Sequence, residues 1–142
     1  MKIESIHHVS LTVRDLERSR KFYSEILGLC EIERPNFPFP GAWFEVPGGQ
    51  QHVHLIIHAH ATFRPTLTID NRDSHFAVRV PSYEKAVEFL VLKGYREDAP
   101  DGDPRGMRTN PHATAGFPQI YIVDPDGHVI EINATALKLT LD

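Results

Sequence analysis

An α+β fold made of one βαβββ module used twice is what this sequence predicts, and three observations carry the prediction. The segment His8–Phe22 is matched by His75–Phe89 at a constant offset of 67 residues, from 8 to 75 and from 22 to 89. Such self-similarity marks a repeated structural unit. Each copy passes from strict apolar alternation to helical periodicity, and each helix is followed by three short strand-like runs broken at turn-forming residues.

The elements follow in order. Val9, Leu11 and Val13 share one face of the first strand, opposite His8, Ser10 and Thr12; in the second copy Phe76, Val78 and Val80 oppose His75, Ala77 and Arg79. Helices bearing Leu16, Tyr23, Ile26 and Leu27, and Tyr83, Ala86, Val87 and Leu90, supply cover for these apolar faces. Asp15 and Ser82 suit the two N-caps, and Gly28 and Gly94 fall where a helix closes on a residue tolerant of positive φ. The first copy continues with strands at about Cys30–Arg34, Ala42–Val46 and Gln51–Ile57, turning at Pro47-Gly48-Gly49. The second continues at about Tyr95–Asp98, Pro118–Val123 and His128–Asn133, turning at Asp124-Pro-Asp-Gly127. One module leaves a sheet face uncovered, so two must pair, within a chain or across a dimer. Module one spans about 1–60, the joint about 58–72 and module two about 70–134, followed by a short C-terminal tail. The irregular stretch Ala99–Phe117, rich in Pro and Gly, is the candidate lid.

Composition narrows the function classes. At 142 residues the chain is near the size of one domain, and 41% hydrophobic residues place it among globular proteins rather than disordered ones. A net charge of −4, with no cluster of Lys and Arg, lacks the electrostatic footprint of a nucleic-acid binder. No apolar run approaches the roughly 18 residues of a membrane span, and the opening Met1-Lys-Ile-Glu4 does not resemble a signal peptide. The single Cys30 makes no internal disulfide and no thiolate zinc cluster, which suits the reducing cytoplasm. Small-molecule chemistry is what remains.

Nine histidines stand out. His8 and His75 open equivalent strands of the repeat, and His54 and Glu131 fall near the middle of each module's last strand. These four form two symmetry-related pairs, and three imidazoles with one carboxylate suit a divalent Zn, Ni, Fe(II), Mn or Co ion. His7, His58, His60, His112 and His128 lack that repeat relationship and are read as ordinary polar residues. His52 shares a strand face with His54, which makes it a candidate substrate contact. Arg79 shares a face with His75 and is a candidate for holding an anionic group. Trp43 and Phe44 have opposite parity, so one of them should form an apolar wall. Arg105 and Arg108 lie on the presumed lid.

Ile6-His-His8-Val-Ser-Leu-Thr-Val13, Lys21-Phe-Tyr23 before Leu27-Gly-Leu29, Ser74-His75-Phe-Ala-Val78 and Tyr121-Ile-Val-Asp-Pro-Asp-Gly-His-Val-Ile-Glu131 together resemble the vicinal oxygen chelate superfamily. That superfamily includes glyoxalase I, bleomycin-resistance proteins, extradiol dioxygenases, fosfomycin-resistance enzymes and methylmalonyl-CoA epimerase. Arg34-Pro35 with Phe39-Pro-Gly-Ala-Trp43-Phe44 and His54-Leu-Ile56 is similar to a glyoxalase I-like subgroup. The resemblance implies paired βαβββ modules forming a cupped mixed sheet around a central metal, often in a homodimer. It implies His8, His75 and Glu131 as ligands, with His54 standing where glyoxalase I has Glu. It further implies an isomerase or lyase acting on a small vicinal-oxygen substrate through an enediolate, with glutathione or another thiol as co-substrate. Glu131 is then the base, His54 a ligand or second base, and Tyr121 a donor to a developing oxyanion. The alternatives are an Fe(II) ring-cleaving dioxygenase or fosfomycin-type thiol transferase, and a non-catalytic binder of the bleomycin-resistance kind.

Overall fold

A computed structural model describes residues 1–137; residues 138–142 of the predicted tail lie outside the described residues. The chain divides into two compact units, Met1–Phe63 and Arg64–Asp142, and the boundary falls within the predicted joint.

In the first unit the elements are β1 (His8–Thr12), α1 (Leu16–Glu25), β2 (Cys30–Ile32), β3 (Gly41–Glu45) and β4 (His52–Ile56). Sheet order is β1-β4-β3-β2, parallel between β1 and β4 and antiparallel elsewhere. Asp15 caps α1 by accepting from the Arg18 amide at 3.0 Å, so a donor that the helix cannot pair finds a partner. Gly28, at φ 66°, lets the chain leave the helix in the left-handed region. The apolar face of the sheet buries Val13, Ala42, Phe44, Val53 and Leu55, while α1 contributes Phe22 and Tyr23. Leu16, Ile26 and Leu27 sit at the half-buried margin of that packing.

The second unit repeats the plan with β5 (His75–Arg79), α2 (Tyr83–Leu92), β6 (Arg108–Asn110), β7 (Gln119–Val123) and β8 (Val129–Asn133), in the order β5-β8-β7-β6. Ser82 caps α2 through the Lys85 amide at 3.3 Å, and Gly94 has φ 87°. Ile120, Ile122, Ile130 and Ile132 line the apolar face, with Tyr83 and Leu90 buried from α2. The Asp124–Gly127 turn is held by its own side chain, because Asp124 Oδ1 accepts from the Asp126 and His128 amides at 2.9 and 2.8 Å. Arg64 ties the start of the unit to this turn by donating to the Gly127 carbonyl at 2.6 Å and pairing with Asp73 at 2.9 Å.

One strand and the lid need correction. Tyr95–Asp98 is not a ladder strand; only Arg96 makes an isolated bridge, to Gly106. The pairing partner of β7 is instead Arg108–Asn110, inside the stretch expected to be a lid. Tyr95 and Met107 are both buried, which draws the chain back to the sheet edge. Arg108 donates to the Glu97 and Met107 carbonyls and pairs with Asp101 at 2.9 Å, and Arg105 lies 5.0 Å over the Tyr95 ring. These arginines pin an edge rather than ride on a free loop.

Candidate functional site

Strand parity gives each sheet one apolar face against its helix and one polar face. In the first unit, pairing of His8 with His52, Ser10 with His54 and Trp43 with His54 puts all these residues on the polar face. The His8 and His54 rings stack at 4.3 Å, and Trp43 stacks on His54 at 4.1 Å with an interplanar angle of 6°. His52 lies 5.7 Å from His54 and 5.5 Å from His7, whose Nδ1 shares a 2.9 Å hydrogen bond with His8 Nδ1. His54 is buried, and among the described residues its Nε2 has no hydrogen-bond partner, nor has His52 Nδ1. Burial, together with the charges of His8, His52, His7 and Arg34, pushes the His54 pKa down to about 4. Near neutral pH His54 is therefore an uncharged imidazole, the form that can donate a lone pair to a cation.

The depressed value has a testable sign. Between pH 6.5 and about 4 the unfolded chain binds a proton at His54 that the native chain does not. The stability from this group is therefore complete above pH 6.5 and lost as pH falls toward 4. An NMR titration should show the His54 ring neutral down to about pH 4, and urea unfolding of His54→Gln should lose part of the acid-side slope.

In the second unit the same register recurs. His75 pairs with Val129, two residues before Glu131, just as His8 pairs with His52, two before His54. His75 Nδ1 lies 2.7 Å from the Asp73 carbonyl, which can only accept, so Nδ1 carries a proton and Nε2 is the ring nitrogen left to face the site. That Nε2 faces Glu131 Oε2 at 3.5 Å. Tyr121 donates to the same oxygen at 3.0 Å, and Asn133 Nδ2 donates to Oε1 at 2.7 Å. Burial pushes the Glu131 carboxyl up, but hydrogen bonds from Asn133, Tyr121 and Gln119 and the nearby His75 outweigh it, leaving the group more acidic than an ordinary glutamate. Tyr121 is pushed up to about 12 by burial and by the carboxylate it serves.

The pattern is a buried carboxylate, more acidic than an ordinary glutamate, beside an imidazole nitrogen, on a chain whose family model matches over residues 5–132. The chain belongs to the glyoxalase/bleomycin resistance protein/dioxygenase superfamily. Within it, the chain is 29% identical over 137 residues to glyoxylase I 4 of Arabidopsis thaliana, covering 93% of this chain and 71% of the relative. It is 27% identical over 150 residues to the metallothiol transferase FosB of Lysinibacillus sphaericus, covering 100% and 90%. The crystal structure of a glyoxalase/dioxygenase from Nostoc punctiforme shares the fold, with a TM-score of 0.68, 24% identity and coverage of 92% and 90%.

This superfamily member shows two tight pairs, His8 with His54 and His75 with Glu131. Within either unit, among the described residues, no three His, Cys, Asp or Glu gather as a metal-holding group. Phe44 is not a substrate wall: it points to the core, fully buried, 5.9 Å from Tyr23, because parity sends its neighbour Trp43 to the polar face instead. Arg79 keeps its parity with His75, lying 5.0 Å over Phe117 and donating to Thr135 at 3.3 Å, so its charge is partly engaged. Asn133 and Gln119 escaped the sequence reading. The signal was available, since Asn133 is two residues from Glu131 on one strand face and Gln119 pairs with it.

Proposed function

We propose that His8, His54, His75 and Glu131 are ligands to a divalent cation, and that the protein is a metal-dependent isomerase or lyase of the glyoxalase I type. Its substrate in this reading is a small molecule with vicinal oxygens, a thiol adduct of a 2-oxoaldehyde, with glutathione or another thiol as co-substrate. The observation that carries the reading is the Glu131 carboxylate, with a donor on each oxygen and His75 Nε2 3.5 Å away. Glu131 Oε2 and His75 Nε2 are atoms of the kind a divalent cation takes as ligands, and so is the buried His54 Nε2, which has no partner among the described residues. A bound divalent ion supplies Lewis acidity to adjacent substrate oxygens.

The chain's own residues do the rest. Asn133 orients Glu131 through Oε1, which leaves Oε2 to take a proton from one substrate carbon and return it to the next. An acidic carboxyl gives the proton back readily, as an isomerase base must. Tyr121 O–H, already directed at Oε2, can turn its donor to a substrate oxygen as charge develops there. Trp43 offers a flat apolar wall beside His54.

Turnover of the methylglyoxal–glutathione thiohemiacetal by metal-loaded protein tests the reading, and its absence with metal bound would overturn it. The full-length similarity to a metallothiol transferase favours one second reading, thiol addition to fosfomycin, so the same preparation is assayed with fosfomycin plus thiol. Loss of the Tyr121 donor in Tyr121→Phe should raise the Glu131 pKa and weaken metal affinity by about 10–100-fold, measured by competition with a chelator. A homodimer and a cytoplasmic location belong to this reading, and light scattering measures the former.

A further inference from the structure

Arg34, whose charge helps to hold the His54 pKa down, also lies against the aromatic cluster beside that site. It follows β2, where Ile32 pairs with Trp43, so two residues on it falls opposite Gly41 on the face that bears Trp43 and His54. A Cβ on Gly41 would stand 3.1 Å from Arg34 Nε and 3.2 Å from Cζ, so the guanidinium occupies the space that glycine leaves. Phe37 and Phe39 lie with ring centroids 4.6 and 4.9 Å from Cζ. The two rings stack at 5.3 Å, and Phe37 reaches Trp43 at 6.0 Å, so an aromatic row runs from Arg34 to His54.

The cation lacks directional partners. Nε and Nη2 are buried and have no hydrogen-bond partner among the described residues. Arg20, which lines the same pocket, is paired with Glu17 and Glu31. Ring faces satisfy part of a guanidinium's charge, but they give its N–H groups no acceptor oxygens. The Nε–Nη2 edge is a fork whose spacing matches the two oxygens of a carboxylate. Phe37 and Phe39 are both exposed and belong to no strand, which lets this ring cover yield to an entering ligand.

We propose that Arg34 is a specificity-determining residue that pairs with a carboxylate on the substrate, while the substrate's apolar body lies along Phe37 and Trp43. This rests on reading the His54 face as the site, and it assigns a chemical feature to the ligand: a carboxylate, as a glutathione-like thiol adduct carries, next to an apolar portion. Trp43 is the chain's single tryptophan, and its ring centroid lies 6.0 Å from that of Phe37, so its fluorescence reports on the aromatic row beside Arg34. Metal-stripped protein is titrated with benzoate and with its uncharged isostere benzamide while Trp43 fluorescence is followed. Benzoate should bind at least about tenfold more tightly than benzamide, Arg34→Gln should erase that preference, and Arg34→Lys, which keeps the charge but not the fork, should retain only part of it. Equal affinities in the unaltered protein, or a preference surviving in Arg34→Gln, would overturn the proposal. Because no metal is present, a preference for benzoate in a protein that never binds metal sinks the catalytic reading and leaves the Arg34 assignment standing.

Discussion

Glu131→Ala is expected to remove bound metal and to lower turnover by about 10²–10⁴-fold, the range for losing a positioned acid–base group, with ligand loss adding to it. His75→Ala should likewise lose the metal, whereas His128→Ala, altering a half-buried side chain in the β7–β8 turn, should keep it. Metal content by atomic spectroscopy separates the cases, and equal retention in all three variants would defeat the ligand assignment. The alanine change has a second cost. Tyr121 O–H and the Asn133 amide lose the acceptor they share, and a buried donor without an acceptor costs about 1–3 kcal/mol. Glu131→Gln keeps the volume and one acceptor oxygen, so it should lose metal with less loss of stability. Comparing the two variants separates the chemical role from the packing role.

Phe44→Ala should cost about 3–5 kcal/mol of stability, because the ring is fully buried against Tyr23 and its removal leaves a cavity the sheet cannot close. Trp43→Ala, one residue away, removes a half-buried ring from the opposite face and should cost less, while abolishing the tryptophan fluorescence. Urea unfolding followed by circular dichroism gives both values on one scale. If the order were reversed, the assignment of faces in β3 would be wrong, and the site would lie on the other side of the sheet.

The parity that makes this prediction also shows where sequence reasoning succeeded. The repeat matches His8 with His75 and His54 with Glu131, and the structure gives His8 and His54 the same diagonal register as His75 and Glu131, although the intervening chain differs in length between the copies. Alternation and capping act over a few residues, so Asp15, Ser82, Gly28 and Gly94 were legible as helix ends. Strand β6 was not. Arg108–Asn110 is three residues long, too short for alternation to mark, and it forms because β7 offers an unpaired edge and Met107 finds a buried place. Those are properties of a sheet already assembled. Pro and Gly through the same stretch imitated a free loop, and the Arg108 bonds that fasten it lie between residues whose nearness only the folded chain creates. Asn133 and Gln119 fall between these cases: parity pointed to them, yet an amide becomes a partner for Glu131 only at 2.7 Å.

By itself the sequence determined the repeated βαβββ plan, the helix ends, the two histidine-bearing strand faces and membership of the superfamily, because periodicity, caps and motif spacing are local and survive without a third dimension. Only the tertiary structure decided that His54 is an orphaned, weakly basic imidazole, that Glu131 stays ionised in a buried place, that Phe44 belongs to the core and that Arg34 lies against Gly41 with donors unspent. Burial, dielectric and hydrogen-bond partnership are set by what packs around a group, and those neighbours come from distant parts of the chain.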